Sequence, residues 1–295
     1  MAENSIAGGG VPAIEISHLT KDFRIGIRGV KLRAVDDVSL CVNSGEIFGL
    51  LGPNGSGKST TLKIILGIFR PTAGTCKIFG VESAFVAARE NVGFLPEAPY
   101  FYGYLTGREL VRFYARISGV PEKSLDAAIE SALEITGMTD AADRRVKTYS
   151  KGMLQRIGVA QAIAHDPQLV ILDEPTAGID PIGAAAIGEC ILSMKKRGKT
   201  VVLCSHLLGQ VESICDRVAV MDRGRLVVAG TLESILTQKD KMNFCVSGLE
   251  NFSEADIAAL GEFMRRRGAK LEEITHPRIS LEKFFIENFS KGDRK

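Results

Sequence analysis

A glycine-rich segment that ends in a lysine and a serine is the first part of the sequence with residues suited to chemistry. Residues 52–59 follow the spacing GxxxxGK[ST]. In this pattern the glycines let backbone N–H groups turn inward around phosphate oxygens, the lysine reaches the outer phosphates, and the next hydroxyl ligates Mg²⁺. A helix that begins near Lys58 would add its partial positive charge. The candidate phosphate-binding residues are Gly52, Pro53, Asn54, Gly55, Ser56, Gly57, Lys58, Ser59 and Thr60, with Ser59 as a metal ligand.

Two adjacent carboxylates after an apolar run form the second candidate group. Residues 169–172 are all apolar, and Asp173 and Glu174 follow them. A buried parallel strand delivers such residues to its carboxyl end, where α/β proteins bind their ligands. We expect Asp173 to hold Mg²⁺ through its water shell and Glu174 to orient and deprotonate an attacking water. The alternative, a helix N-cap pair after a strand, is disfavoured by the phosphate-binding pattern upstream.

These candidates need strands and a helix around them, and the apolar pattern predicts both. Residues 46–51 are apolar almost throughout, which is typical of a central strand covered on both faces, and helical spacing follows over 60–69. The glycine-rich segment therefore joins a strand to a helix, which disfavours an ordinary turn capped by Ser59. Further predicted strands are 13–19, 34–42, 75–79, 91–95, 200–204, 218–221 and 225–228, and further predicted helices are 182–197 and 206–215.

The order of these elements divides the chain into three predicted parts. Residues 1–12 are predicted to be a flexible leader, and 13–236 an α/β domain whose long strand–helix–strand connections imply parallel pairing. Within that domain the period becomes helical, which predicts an inserted helical subdomain at about 99–165. Residues 237–295 are predicted to be a small α+β extension. Its predicted strands are 242–247 and 270–275, and its predicted helices are 253–267 and 280–289.

The composition is that of a globular protein with balanced charge. The 295 residues include 37 Lys and Arg against 35 Asp and Glu, for a formal net charge of +2. A dedicated nucleic-acid binder would usually show a basic excess, so no nucleic-acid partner is expected. No apolar run approaches the ~18 residues needed to cross a bilayer, and no secretory signal is visible. The six cysteines form no CxxC pair and are predicted to be reduced core thiols of a cytosolic protein.

A third motif connects these observations to a known family. Residues 149–156 read Tyr-Ser-Lys-Gly-Met-Leu-Gln-Arg. With the two groups above, they resemble the nucleotide-binding subunit of ABC transporters, whose signature segment normally reads LSGGQ. Ser150 and Gly152 are kept, whereas Lys151 and Met153 replace the first glycine and the glutamine. The resemblance implies that Ser150 and Gly152 bind the γ-phosphate of ATP held by a partner subunit, and Ser150 is also expected to cap a helix.

Four further positions match the family's motifs in the family's order. Phe23 lies where the family places an aromatic residue that stacks on adenine, although an ordinary core aromatic is the alternative. Glu97 replaces the family's glutamine beside Mg²⁺ and the attacking water, and an exposed loop glutamate is the alternative. His206 matches the switch histidine that contacts the γ-phosphate and holds Glu174 and water in place. Residues 176–181 resemble the loop through which two subunits meet.

The resemblance implies a P-loop NTPase of the ABC ATPase fold with ATP and Mg²⁺ as cofactors. Two copies would sandwich two nucleotides and power a separate integral membrane permease from the cytoplasmic face of the membrane, with export as the expected direction. Residues 100–104, rich in tyrosine, are expected either to contact that permease or to pack between subdomains. The alternatives are a soluble ABC-type ATPase that acts on ribosomes or DNA, and a regulatory module without turnover.

Overall fold

The computed structural model describes residues 10–26, 29–205, 207–237, 243–247 and 270–275. The chain divides into two compact units, residues 1–232 and 233–295. The residues predicted for the leader before position 10, and both helices predicted for the C-terminal extension, lie outside the described residues. In the part that is described, no helix combines the length and the apolar character needed to span a membrane.

The strands and helices of the described residues largely follow the predicted pattern. The strands are β1 (Ile14–Ile25), β2 (Val30–Val42), β3 (Ile47–Leu51), β4 (Ala73–Ile78), β5 (Val81–Glu82), β6 (Val92–Leu95), β7 (Leu169–Asp173), β8 (Thr200–Cys204), β9 (Arg217–Asp222), β10 (Arg225–Thr231), β11 (Asn243–Ser247) and β12 (Lys270–Thr275). The α-helices are α1 (Lys58–Ile65), α2 (Gly107–Ile117), α3 (Glu122–Ile135), α4 (Lys151–Ile163), α5 (Pro181–Lys196), α6 (Leu208–Ile214) and α7 (Leu232–Leu236).

The helix after the glycine-rich segment is shorter than the apolar spacing predicts. It was expected over 60–69, but α1 begins at Lys58 and ends at Ile65. Gly67 has φ +65°, a left-handed conformation that stops an α-helix. Of the two apolar residues after it, Ile68 is exposed and only Phe69 packs against the core, where the chain turns back over the helix and the Phe69 N–H donates to Lys63 O at 3.0 Å.

A six-stranded sheet in the order β10-β9-β3-β8-β7-β6 forms the centre of the first unit. The neighbours from β6 to β9 run parallel, and only β10 pairs antiparallel with its neighbour β9. Every residue of β3 and β8 is buried, as expected for strands covered on both faces. The predicted parallel α/β sheet is therefore confirmed. Its carboxyl-terminal edge places the segments after β3, β6, β7 and β8 next to one another.

A second sheet in this unit is antiparallel and has the order β2-β1-β4-β5. The sequence pattern predicts three of these strands but not their separation from the parallel sheet. Phe23 on β1 lies opposite Leu32 on β2, and the pairing continues to Ile14 opposite Val42. The two sheets and α1 enclose one core, which includes Leu19, Val38 and Phe48. The antiparallel sheet therefore forms a wall beside the loop that follows β3.

The residues between β6 and β7 form the helical part of the unit, with α2, α3 and α4 as its main elements. α2 begins with a capping box in which the side chains of Thr106 and Glu109 each bond the other's backbone N–H. Leu110, Ile129 and Ile157 are fully buried and come from the three helices. Burial of such side chains holds three short helices together, since each would be marginal alone.

The described part of the second unit contains an antiparallel pair of strands. β11 and β12 pair from Asn243 opposite Thr275 to Ser247 opposite Lys270. A register shift interrupts the ladder between Cys245 and Val246. The sequence predicted strands at both places, 242–247 and 270–275.

Candidate functional site

A cavity of about 580 Å³ opens at the carboxyl-terminal edge of the parallel sheet. It brings together residues from β1, β2, the loop after β3, α1, the segment after β6 and the end of β7. The lining residues are Phe23, Leu32, Arg33, Ala34, Gly52, Pro53, Asn54, Gly55, Ser56, Gly57, Lys58, Ser59, Thr60, Glu97, Asp173 and Glu174. Most of the residues that the sequence analysis selected therefore share one space, which is long enough for a polar ligand.

The loop between β3 and α1 has a backbone that only glycine allows at two positions. Gly52 has φ +149°, and a Cβ there would collide with Met221 O. Gly57 has φ +103°, and a Cβ there would lie 2.6 Å from Ala34 O. The missing side chains let the loop pass tightly against β9 and β2, so its backbone lines the cavity.

Positive charge is concentrated at the start of α1. Lys58 is only 7% exposed, and its Nζ donates to Gly52 O at 2.6 Å and to Pro53 O at 3.0 Å. No side chain caps α1, so its first N–H groups remain available to an anion. The Ser56 hydroxyl is 2% exposed and has no hydrogen-bond partner among the described residues. Such a lysine, helix end and buried hydroxyl suit a phosphate chain.

Three carboxylates face this charge from the other side of the cavity. Burial, and secondarily the nearby charges of Glu174 and Glu97, raise the pKa of Asp173 from 3.8 to about 6. Glu174 has φ +49°, an uncommon conformation for a non-glycine residue, and its N–H donates to Cys204 O at 2.9 Å. This bond ties the segment after β7 to the end of β8.

The carboxylates and Ser59 suit a magnesium ion that arrives with phosphates. Among the described residues no group of three or more His, Cys, Asp or Glu side chains could hold a metal ion alone. Mg²⁺ does not need such a group, because it usually keeps several waters and binds through one or two carboxylates and the phosphates of its ligand. The pKa of Asp173 is raised mainly by burial and further by the charges of Glu174 and Glu97, and a bound cation would offset these effects on the ionised form.

Phe23 lines the cavity and also packs against neighbouring side chains of its own chain. Its ring makes an edge contact with Phe69 at 5.4 Å between centroids, and Lys21 Nζ lies 5.0 Å from its centroid. On the opposing strand, Leu32 lies directly across from it and also lines the cavity. Both alternatives for Phe23, a core aromatic and a residue that contacts a base, are therefore compatible with its position.

The signature segment lies elsewhere on the same chain. Ser150 is exposed and caps α4 by accepting from the Met153 N–H at 3.3 Å, as expected. Gly152 packs beneath Ile179, because a Cβ there would lie 3.1 Å from Ile179 Cγ2. Neither Ser150 nor Gly152 lines the cavity. A signature residue that contacts a nucleotide in this cavity would have to come from another chain or from a large rearrangement.

The loop over 176–181 packs against both the signature segment and α6. The Lys151 ammonium lies against Gly178, the Asp180 side chain caps α5, and Thr176 Oγ1 is 2.7 Å from Gln210 Oε1. The two segments that resemble the family's subunit contacts are therefore neighbours within one chain. His206, the predicted switch histidine, lies outside the described residues.

Two glutamines that the sequence analysis did not select join α4 to the segment after β6. Gln155 Nε2 donates to Glu97 O at 3.3 Å, and Gln161 Nε2 donates to Phe94 O at 3.1 Å. Gly158 leaves room for Leu95, since a Cβ there would lie 2.6 Å from Leu95 Cδ1. The backbone position of Glu97 is therefore coupled to the helix that carries the signature segment.

The aromatic segment 100–104 separates into buried and exposed residues. Phe101 packs in an edge contact against Tyr114 of α2 at 6.3 Å. Tyr100, Tyr102 and Tyr104 are 88%, 51% and 64% exposed. Phe101 therefore packs inside the helical part itself, whereas the three tyrosines are exposed and available for contact with another molecule.

Comparisons with known proteins agree with this geometry. Residues 35–177 match the family described as ABC transporter. An uncharacterized ABC transporter ATP-binding protein of Nostoc sp. (strain PCC 7120) is 37% identical over 94% of this chain and 90% of its own length. The Nod factor export ATP-binding protein I of Mesorhizobium japonicum is 36% identical over 77% of this chain and 65% of its own length. A solved structure of an ATP binding subunit of an ABC transporter has a TM-score of 0.70 and 27% identity, covering 93% of this chain and 98% of that one.

The fold and the cavity define a P-loop nucleotide-binding protein. The matches with these relatives cover most of the chain, which shows its family. The chain belongs to the ABC transporter ATP-binding proteins, whose subunits bind and hydrolyse ATP. The predicted family and fold are thus confirmed. Nothing in these matches supports the alternative of a soluble ATPase that acts on ribosomes or DNA.

Proposed function

We propose that this chain is the ATP-hydrolysing half of an exporter and that two copies share each ATP–Mg²⁺. The observation that carries the proposal is the separation of the two anion-binding segments. Lys58 and the loop after β3 line the cavity, whereas Ser150 at the start of α4 does not. A second copy that faces the first head to tail would bring its own Ser150 to the mouth of the cavity.

The residues selected from the sequence have distinct roles in this proposal. The loop N–H groups and Lys58 bind the phosphate chain, and Phe23 stacks on the adenine. Ser59, Asp173 and Glu97 hold Mg²⁺, which supplies charge neutralisation for phosphoryl transfer. Glu174 orients and deprotonates the attacking water, and His206 holds Glu174 and the γ-phosphate in place. Ser150 and Gly152 of the second copy close the site over the γ-phosphate.

Closure of the pair would transmit ATP binding to an integral membrane permease at the cytoplasmic face of the membrane. ATP shifts the equilibrium between open and closed pairs because only the closed pair contacts the γ-phosphate from both sides. The exposed tyrosines at positions 100, 102 and 104 support a contact with that permease. Export is the proposed direction, in keeping with the Mesorhizobium japonicum relative named for Nod factor export.

Mixing two inactive variants tests the shared site. Lys58→Ala disables the cavity side of every site, and Ser150→Arg disables the signature side. A mixed pair has one site with both sides intact, so an equal mixture should regain up to about a quarter of the wild-type ATPase rate. The control mixes Lys58→Ala with Glu174→Gln, which damages the same side and should regain nothing. Equal rates in the two mixtures would refute the shared site.

A further inference from the structure

Arg33 is a cation in the cavity wall that neither the phosphate-binding pattern nor the proposed roles account for. Among the described residues that line the cavity, the positively charged ones are Lys58 and Arg33. Arg33 lies on β2 between Leu32, which faces Phe23, and Ala34, whose carbonyl lies beside Gly57. It therefore lies between the part of the cavity proposed to hold the base and the part proposed to hold the phosphates.

Two carboxylates hold the guanidinium of Arg33 in one orientation. Its Nε donates to Asp22 Oδ1 at 2.9 Å, its Nη2 approaches Asp22 Oδ2 at 3.4 Å, and its Nη1 donates to Asp36 Oδ1 at 2.8 Å. The side chains of Asp22 and Asp36 are only 10% and 16% exposed, whereas Arg33 remains 46% exposed. The carboxylates are thus covered, and the guanidinium keeps an accessible surface.

The network leaves both charge and hydrogen-bonding capacity unused. Lys31 also binds Asp22 at 2.9 Å, and Arg225 binds Asp36 at 2.6 Å, so three cations surround two carboxylates and one positive charge is in excess. A guanidinium has about five N–H donors, and the three bonds to Asp22 and Asp36 leave about two of them for a ligand. A pre-oriented guanidinium with spare donors suits hydroxyl or other oxygen acceptors at a fixed place.

We propose that Arg33 binds the ribose of the nucleotide and that Asp22 and Asp36 position it. This inference rests on the proposed function, because it assigns a further contact within the same ATP site. The hydroxyl groups of the sugar would accept from the two unused donors, between Phe23 and the phosphate-binding loop. Asp22 and Asp36 act through Arg33 and do not themselves contact the nucleotide.

Removal of Arg33 should weaken the binding of ATP but not the binding of its phosphates alone. Binding is measured by calorimetry with Mg²⁺ and either ATP or inorganic tripolyphosphate, which lacks the sugar and base. Arg33→Ala should lower the affinity for ATP about five- to ten-fold, as for the loss of a charge-assisted hydrogen bond to a half-exposed group. Its affinity for tripolyphosphate should stay at the wild-type value. The KM for ATP should rise while kcat is unchanged.

Matched variants separate this contact from general charge and folding effects. Arg24→Ala removes the same charge from the neighbouring strand at an exposed position outside the cavity lining, and it should bind both ligands like the wild type. Arg33→Lys keeps the charge and should give an intermediate affinity. With 2′,3′-dideoxy-ATP, wild type and Arg33→Ala should bind equally, because the accepting hydroxyls are absent. Thermal unfolding of each variant checks that it is folded.

Three results would overturn the inference. The first is an unchanged ATP affinity in Arg33→Ala. The second is an equal loss of affinity for ATP and for tripolyphosphate in that variant. The third is a loss of ATP affinity in Arg24→Ala as large as that in Arg33→Ala. In each of these cases the wild-type protein still binds ATP, so the proposed function would stand. Failure of the wild-type protein to bind ATP at all would instead refute the proposed function.

Discussion

Asp173→Asn should make the nucleotide-free protein more stable while abolishing ATP hydrolysis. The carboxyl group lies in a mostly buried position, near Glu174 and Glu97, and these surroundings raise its pKa from 3.8 to about 6. At neutral pH the folded protein must therefore carry an ionised group that its surroundings disfavour. Asparagine has nearly the same shape and removes this charge.

The expected gain in the free energy of unfolding follows from the difference between the pKa of Asp173 in the folded protein and its ordinary value. A difference of about two pKa units, at about 1.4 kcal/mol for each, corresponds to about 3 kcal/mol at neutral pH as an upper value. The sign depends on pH in a defined way. Because the pKa is higher in the folded state, the protonated form of Asp173 stabilises the fold below about pH 4, and this contribution is lost as pH rises toward about 6. Asp173→Asn should therefore be little more stable than the wild type at pH 4, and the difference in the free energy of unfolding should be largest above pH 6.

Urea unfolding of both proteins between pH 4 and 8, without nucleotide or Mg²⁺, measures this difference. Asp166→Asn is the matched control, since its carboxylate is 86% exposed and pairs with Lys199 at the surface. Its free energy of unfolding should change by less than about 1 kcal/mol. If Asp173→Asn is no more stable than the wild type at pH 7, or if the difference does not depend on pH, the electrostatic account of this site is wrong.

Two further substitutions test other parts of the cavity. Glu174→Gln should keep ATP binding but slow hydrolysis by roughly 10²–10⁴, as for the loss of a general base, and unchanged turnover in a phosphate-release assay would remove Glu174 from that role. Gly52→Ala should lower the free energy of unfolding by at least about 1–3 kcal/mol and weaken ATP binding, because its Cβ would collide with Met221 O. Gly55→Ala is the control for Gly52→Ala, since its φ is also positive but nothing lies within 4 Å, so it should lose stability but less of it.

The phosphate-binding loop and the carboxylates at the end of β7 could be predicted because the residues of each group lie close together in the sequence. Gly52 and Lys58 belong to one loop, and Asp173 follows directly from a buried strand. Neighbouring positions in the chain stay neighbours in space, so the spacing alone indicates the chemistry. The parallel sheet could be predicted for a similar reason, since fully apolar runs such as β3 require cover on both faces.

The antiparallel wall of the cavity could not be predicted from spacing. Leu32 lines the cavity beside Phe23 because the two residues pair, and that register depends on how β1 and β2 turn and on several register shifts between them. A shift of one residue would move each side chain to the other face of the strand. Alternation indicates a strand, but it does not indicate which residue on the next strand lies opposite.

The contacts of α4 were also beyond the sequence analysis. Helical spacing predicts that one face of α4 is buried, whereas the four consecutive residues 157–160 are all buried, so the helix is covered on most of its sides. The spacing does not indicate that Gln155 bonds the backbone of Glu97, because the partner lies about sixty residues earlier in the chain. Such a bond depends on how the helical subdomain packs on the end of β6.

The side-chain hydrogen bonds of Gln155 and Gln161 attach α4 to the backbone of Glu97 and Phe94. A ligand that displaced the backbone of Glu97 would either break its bond to Gln155 or move α4 with it. Ser150 caps the start of the same helix, shortly before Gln155, so it would move together with that end of α4. Ligand binding in the cavity would in this way shift, through α4, the surface that carries Ser150.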